Sequence, residues 1–147
     1  MGFSFENLNV WQSSLDFANR VISIGTDLNS DRRHYRLIEQ LESAALSVAQ
    51  NIAEGKGRYA KKEFIHFLFI ARGSLFEVIT ILTLFMQRQW IQQGQYDELK
   101  SRAYQIAGQL NALIESLRRS LSPEGVRPRA DQPASSLELR ASRQESP

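Results

Sequence analysis

NIAEGKGRYAKKEFIHFLFIARGSLFEVITILTLFM, residues 51–86, joins a glycine-marked basic turn to the most apolar run in the chain. From Phe64 to Met86, sixteen of twenty-three residues are apolar. Phe64, Leu68, Ala71, Leu75, Val78, Leu82 and Phe85 step by three and four, the spacing of a helix seam that faces a core. Apolar residues also line both flanks of that seam. Ile65, Phe69, Phe76 and Ile79 lie on one flank, and Phe67, Ile70, Ile81 and Leu84 on the other. A bundle core covers roughly a third to a half of a helix surface, so the flanks call for a second burial. A membrane span would place Arg72 and Glu77 near mid-bilayer, at roughly 2.5–3.5 kcal/mol each, and is not expected. Contact between subunits is the better explanation, because obligate interfaces resemble a core cut in half. Ile65, Phe69, Phe76 and Ile79 are the candidate oligomer interface.

Three further segments carry the same period. The first gives Leu8, Trp11, Leu15, Ala18 and Ile22, and the second Ile38, Leu41, Ala45, Val48 and Ile52. The last gives Leu99, Ala103, Ile106, Leu110, Leu113 and Leu117. No segment alternates as a strand would. LNSD at 28–31, EGKG at 54–57 and QQG at 92–94 mark the turns. Short connections make neighbouring helices antiparallel. The expected fold is all-α, an antiparallel up-down-up-down four-helix bundle over residues 1–121. All four prolines, at 123, 128, 133 and 147, follow it in a Pro/Ser/Arg-rich segment without aromatic residues. Residues 122–147 are expected to be a disordered tail.

The turn between the second and third helices admits three readings: a phosphate cradle, a nucleic-acid contact, or a sharp turn. A phosphate-binding loop needs a preceding strand and a longer glycine spacing ending in Lys-Ser/Thr, and neither is present. The glycines read as structural, with Gly55 placed where a helix end favours a left-handed residue. The charges are harder to explain. Lys61 and Lys62 open a helix at its positive pole, and Glu54 closes one at its negative pole. Taken alone, the stretch favours pairing of Glu54 with Arg58 or Lys61. The competing reading turns Lys56, Arg58, Lys61 and Lys62 toward an anionic partner. Antiparallel topology would add Arg118 and Arg119 to that end. Tyr59 is the one aromatic placed to stack on a base. These seven residues are the candidate nucleic-acid-binding set.

Catalytic chemistry is sparse. The chain has 147 residues, a net charge of +2 and no cysteine, which excludes disulfides and thiolate sites. The charge alone does not imply a nucleic-acid partner. Glu63 and His66 have the Glu-x-x-His spacing of di-iron bundles, but such a site needs a second pair and two more glutamates. The other histidine, His34, has only Asp31 at that spacing. No metal, cofactor, small-molecule substrate or enzymatic activity is expected. The start, MGFSFENLNVWQ, has neither a basic n-region nor an apolar h-region, so a cytoplasmic location is expected.

FENLNVWQSSLDFA, NIAEGKGRYAKKEFIHFLFIARGSLFE and QLNALIESL together resemble the four helix bundle protein family, also known as the 23S rRNA intervening-sequence proteins. The resemblance covers about residues 3–121. Asn51, Ile52, Ala53, Glu54, Gly55, Gly57, Arg58, Lys62, Glu63, Phe64, Phe67, Leu68, Ala71, Gly73, Ser74 and Glu77 match its motif. The resemblance implies a small antiparallel bundle assembled as a ring-shaped homopentamer, without enzymatic activity. Many members are encoded within intervening sequences of 23S ribosomal RNA genes. A related branch, the accessory proteins of diversity-generating retroelements, implies nucleic acid (RNA or DNA) and a reverse transcriptase as partners. Three positions depart from the pattern. Ala60 stands where Ser or Thr would cap the third helix, at a cost of about 1 kcal/mol. Ala49 replaces a proline, and Glu42 and Ser43 replace an arginine pair. The expected function is a non-catalytic oligomeric adaptor acting through a basic rim. The alternative is an oligomeric protein-interaction module with no nucleic-acid role.

Overall fold

The computed structural model describes residues 1–28 and 34–121. Four helices account for most of them: α1 (Asn9–Leu28), α2 (Tyr35–Lys56), α3 (Lys61–Gln87) and α4 (Gln93–Leu121), preceded by a short 3-10 turn at Ser4–Asn7. There is no strand among the described residues. Each helix packs on its chain neighbours, and α4 closes the ring against α1. The fold is the antiparallel up-and-down four-helix bundle that the periodicity implies. The tail reading for 122–147, and Asn29–Asp31 of the LNSD turn, fall outside the described residues.

The seams of α2 and α3 lie where the spacing put them. Ile38, Leu41, Ala45, Val48 and Ile52 are buried, as are all seven seam residues of α3. In α4 the inner line is Leu99, Ala103, Ile106, Leu110 and Ile114, while Leu113 and Leu117 are half-buried beside it. The expected seam of α1 is corrected. Leu15 and Ile22 are exposed, and Leu8 and Trp11 are only half-buried. The core face is Val10, Ser14, Phe17, Ala18, Val21, Ile24 and Gly25. Ser14 is admitted because its hydroxyl donates to the Val10 carbonyl at 2.6 Å, leaving no unmet donor in the core.

The turns correct two further expectations. Gly55 is not a left-handed cap: α2 continues through it to Lys56, and Gly57 follows with φ −76°. The need for glycine at 55 is close approach. A Cβ there would stand 2.7 Å from Phe67 Cβ and 2.8 Å from Phe64 Cδ2, so α2 and α3 meet almost backbone to side-chain root. QQG does not mark the third turn either, since Gly94 lies inside α4. The chain reverses at Arg88–Gln92, where Gln89 takes φ 60°. Trp90 then packs at 5.1 Å from Phe85 and 4.1 Å from His34.

By length and composition alone α3 could cross a membrane, with mean hydropathy 1.8. Its two mid-helix charges nevertheless have partners across the bundle. Arg72 Nη1 donates to Asn111 Oδ1 at 3.0 Å, and Glu77 Oε1 accepts from Gln40 Nε2 at 3.1 Å. It packs against α2 and α4, which bury a third of its most apolar stretch.

Candidate functional site

The turn Gly57–Ala60 is built by backbone hydrogen bonds at the end of α2. Gly57 N–H donates to the carbonyls of Ala53 and Glu54, and Arg58 N–H to that of Gly55. α3 then starts without help. Ala60 has extended backbone and no side chain to cap with. Only its carbonyl contributes, accepting from Glu63 and Phe64 N–H at 3.1 and 3.2 Å.

The basic side chains of this end divide into two groups. Arg58 is engaged within the chain: its Nη2 lies 2.8 Å from Glu54 Oε1, and its guanidinium sits 4.9 Å over the Phe67 ring. The pairing reading of the turn thus holds for Arg58. Lys56 Nζ lies 5.9 Å over Phe64. Lys61 and Lys62 are exposed, and neither side chain has a hydrogen bond or ion pair among the described residues. They stand at the positive pole of α3, which raises rather than lowers their electrostatic energy. Tyr59 is fully exposed.

Arg118 does not reach the turn. It lies 5.3 Å over Phe69, eight residues along α3 from Lys61, or about 12 Å of helix rise. Arg119 is exposed nearby on the last turn of α4. The sequence places six bases at one end, whereas the fold gathers four at the turn and sets two on its flank. A concavity of about 410 Å³ lined by Arg58, Lys62, Glu63, His66 and Phe67 opens beside the turn. His66 meets Phe67 edge-on at 6.0 Å. Among the described residues the Glu63–His66 pair gains no third metal-ligating side chain.

The candidate interface residues share a flank but not an environment. Ile65, Phe69 and Ile79 are half-buried against the core, and Phe76 is 55% exposed. Arg72 covers part of this flank, at 4.8 Å over Phe69 and 5.8 Å over Phe76. An apolar groove of about 340 Å³ runs between α3 and α4, lined by Leu75, Phe76, Ile79, Thr80, Lys100, Ala103, Tyr104 and Ala107.

Sequence reasoning missed three features of these surfaces. Gly73 lies opposite the seam of α3, and a Cβ there would meet nothing within 4 Å. Asn51 Nδ2 donates to the Ser47 carbonyl and hydroxyl, and the Ser47 hydroxyl pairs with that of Ser74 at 2.9 Å. This fixes α2 against α3 behind the turn, and accounts for the motif residues Asn51 and Ser74. Finally, Asp16, Arg20, Glu98 and Arg102 close a four-membered ring of ion pairs between α1 and α4. The spacing of four within each helix was visible, but the pairing of the two helices was not.

No curated protein sequence matches the chain. Among solved structures, a Bacteroides thetaiotaomicron VPI-5482 protein of unknown function from the S23 ribosomal protein family superposes with a TM-score of 0.69. It is 24% identical, and the match covers 72% of this chain and 98% of that one, which establishes a shared fold. The family model for the 23S rRNA-intervening sequence protein matches residues 6–112, from the 3-10 turn into the second half of α4. Since that match spans most of the chain, the chain belongs to the 23S rRNA-intervening sequence protein family.

Proposed function

We propose that this protein is a non-catalytic oligomeric adaptor that binds structured RNA through the basic end of the bundle. The observation that carries the reading is the pair Lys61–Lys62. Two adjacent cations sit at a helix N-terminus, against the dipole, with no partner among the described residues. An arrangement that costs the isolated fold something fits a surface meant for phosphates. The 23S ribosomal RNA context of the family agrees with that ligand. DNA, or a reverse transcriptase carrying its own nucleic acid, would use the same end. A cytoplasmic location belongs to this reading.

Two considerations favour the oligomeric part of this reading. The outer surface of α3 exposes Ile70, Phe76 and Leu84 around Gly73, and a glycine with empty space above it suits a second helix packed close. A ring, by family resemblance a homopentamer, would repeat the basic end and combine weak patches through effective concentration. The exposed Phe76 and the groove beside it also favour a second reading, a protein-interaction module without nucleic acid. The two separate on a Lys61→Glu, Lys62→Glu double variant. On the proposed reading it melts no lower than wild type, because acids suit that pole, yet loses RNA binding. Full RNA binding by that variant would eliminate the rim and leave the second reading.

A further inference from the structure

We infer that the basic end carries a seat for one unpaired RNA base, formed by the outer face of the Arg58 guanidinium. The inference rests on the nucleic-acid reading above and narrows it from phosphate contact to contact with a splayed base. Arg58 is held by two restraints in different directions: the Glu54 carboxylate at 2.8 Å and the Phe67 ring at 4.9 Å. Both contacts bias the guanidinium toward the place it occupies beside Phe67 before any ligand arrives. Phe67 is close-packed at its root, since its Cβ lies 2.7 Å from where a Cβ on Gly55 would stand. The Arg58 side chain is still 43% exposed, which leaves surface on it for a ligand.

The surroundings match a nucleobase. Unstacked bases lie on guanidinium planes as they do on aromatic rings. The concavity beside Arg58 brings in Glu63, whose carboxylate can accept from an exocyclic amino group, and Lys62, whose ammonium suits the adjoining phosphate. Tyr59, next in the chain, is fully exposed and contributes nothing to the core. It offers a second π surface for a neighbouring base. A purely structural Arg58 explains the ion pair but neither the open concavity nor the bare tyrosine. A regular duplex cannot use these surfaces, because its base faces are stacked on one another.

The test compares a hairpin RNA carrying 2-aminopurine in an unpaired loop with the blunt duplex of its stem. Wild type, Tyr59→Ala and Arg58→Lys are each titrated at several salt concentrations. Lysine keeps the charge but not the plane. Wild type should bind the hairpin about ten-fold tighter than the duplex, with a change in loop fluorescence. Both variants should lose that preference and the fluorescence change while retaining salt-dependent duplex binding. Equal, salt-dependent binding of hairpin and duplex by wild type, unaltered in the variants, would overturn the base seat and leave the rim standing. Absence of salt-dependent binding to either RNA would overturn both.

Discussion

Gly55 and Gly73 sit in the same motif for opposite reasons. Gly55 is short of space: a methyl there would press on Phe64 and Phe67. Gly55→Ala should therefore lower stability by about 1–3 kcal/mol, the range of overpacked cores, measured as a fall in denaturation midpoint. Gly73 has space to spare within the chain. Gly73→Ala should raise helix stability by up to about 1 kcal/mol, yet weaken self-association if a second copy packs there, a contrast that melting and sedimentation read separately. Ala60 lacks the hydroxyl that would cap α3. Ala60→Ser should add about 1 kcal/mol, read as a higher melting temperature, and an unchanged midpoint would mean that water already satisfies those N–H groups. The sequence named Gly55 as structural but misjudged the reason. Spacing reveals where a helix ends only when the cap is left-handed, and it carries no information on how near another helix passes.

At the scale of the helices, legibility follows how unequal the two faces are. In α2 one apolar stripe faces a polar side, and its seam could be read directly. In α1 two stripes compete. The outer one, with Leu8, Trp11, Leu15 and Ile22, is more apolar by composition than the inner one, which includes Ser14 and Gly25. Ser14 can be buried because a carbonyl one turn back takes its proton. That local bond is invisible to a periodicity count, so the phase came out wrong. α3 had too many apolar positions for one core, and its excess remains outside in the fold as Ile70, Phe76 and Leu84. Phe76→Asp should leave helicity and melting nearly unchanged, since the side chain is largely in water, while dissociating any oligomer built on that face. Phe69→Asp should unfold part of the domain as well, because Phe69 packs on the core and anchors Arg72 and Arg118. Loss of helicity in the Phe76 variant would place that residue in the core and remove the interface.

For the molecule as a whole, the bundle separates stability from its candidate function by residue. The buried seams, the Asn51–Ser47–Ser74 contact and the α1–α4 ion-pair ring hold the fold without using Lys61 or Lys62, although the seam begins at Phe64, two residues after Lys62. Ion pairs that exposed contribute at most about 0.2–1 kcal/mol each, so they align the helices more than they stabilise them. Family membership fixes the fold and names a ribosomal RNA setting, but a ligand is a property of the surface. The surface was legible only in part, because residues distant in the chain, such as Phe67 beneath Arg58 or Arg118 beside Phe69, meet through packing. The decisive measurement is the salt dependence of binding to structured RNA, wild type against the Lys61→Glu, Lys62→Glu variant. Phosphate neutralisation releases counterions, so wild-type affinity should fall steeply and log-linearly with salt. The variant should show a shallower slope and weaker binding at every salt concentration, with its melting temperature preserved. Wild-type binding that is flat across the salt series, or a variant that binds as tightly as wild type, would contradict the assignment of the basic end as an RNA surface.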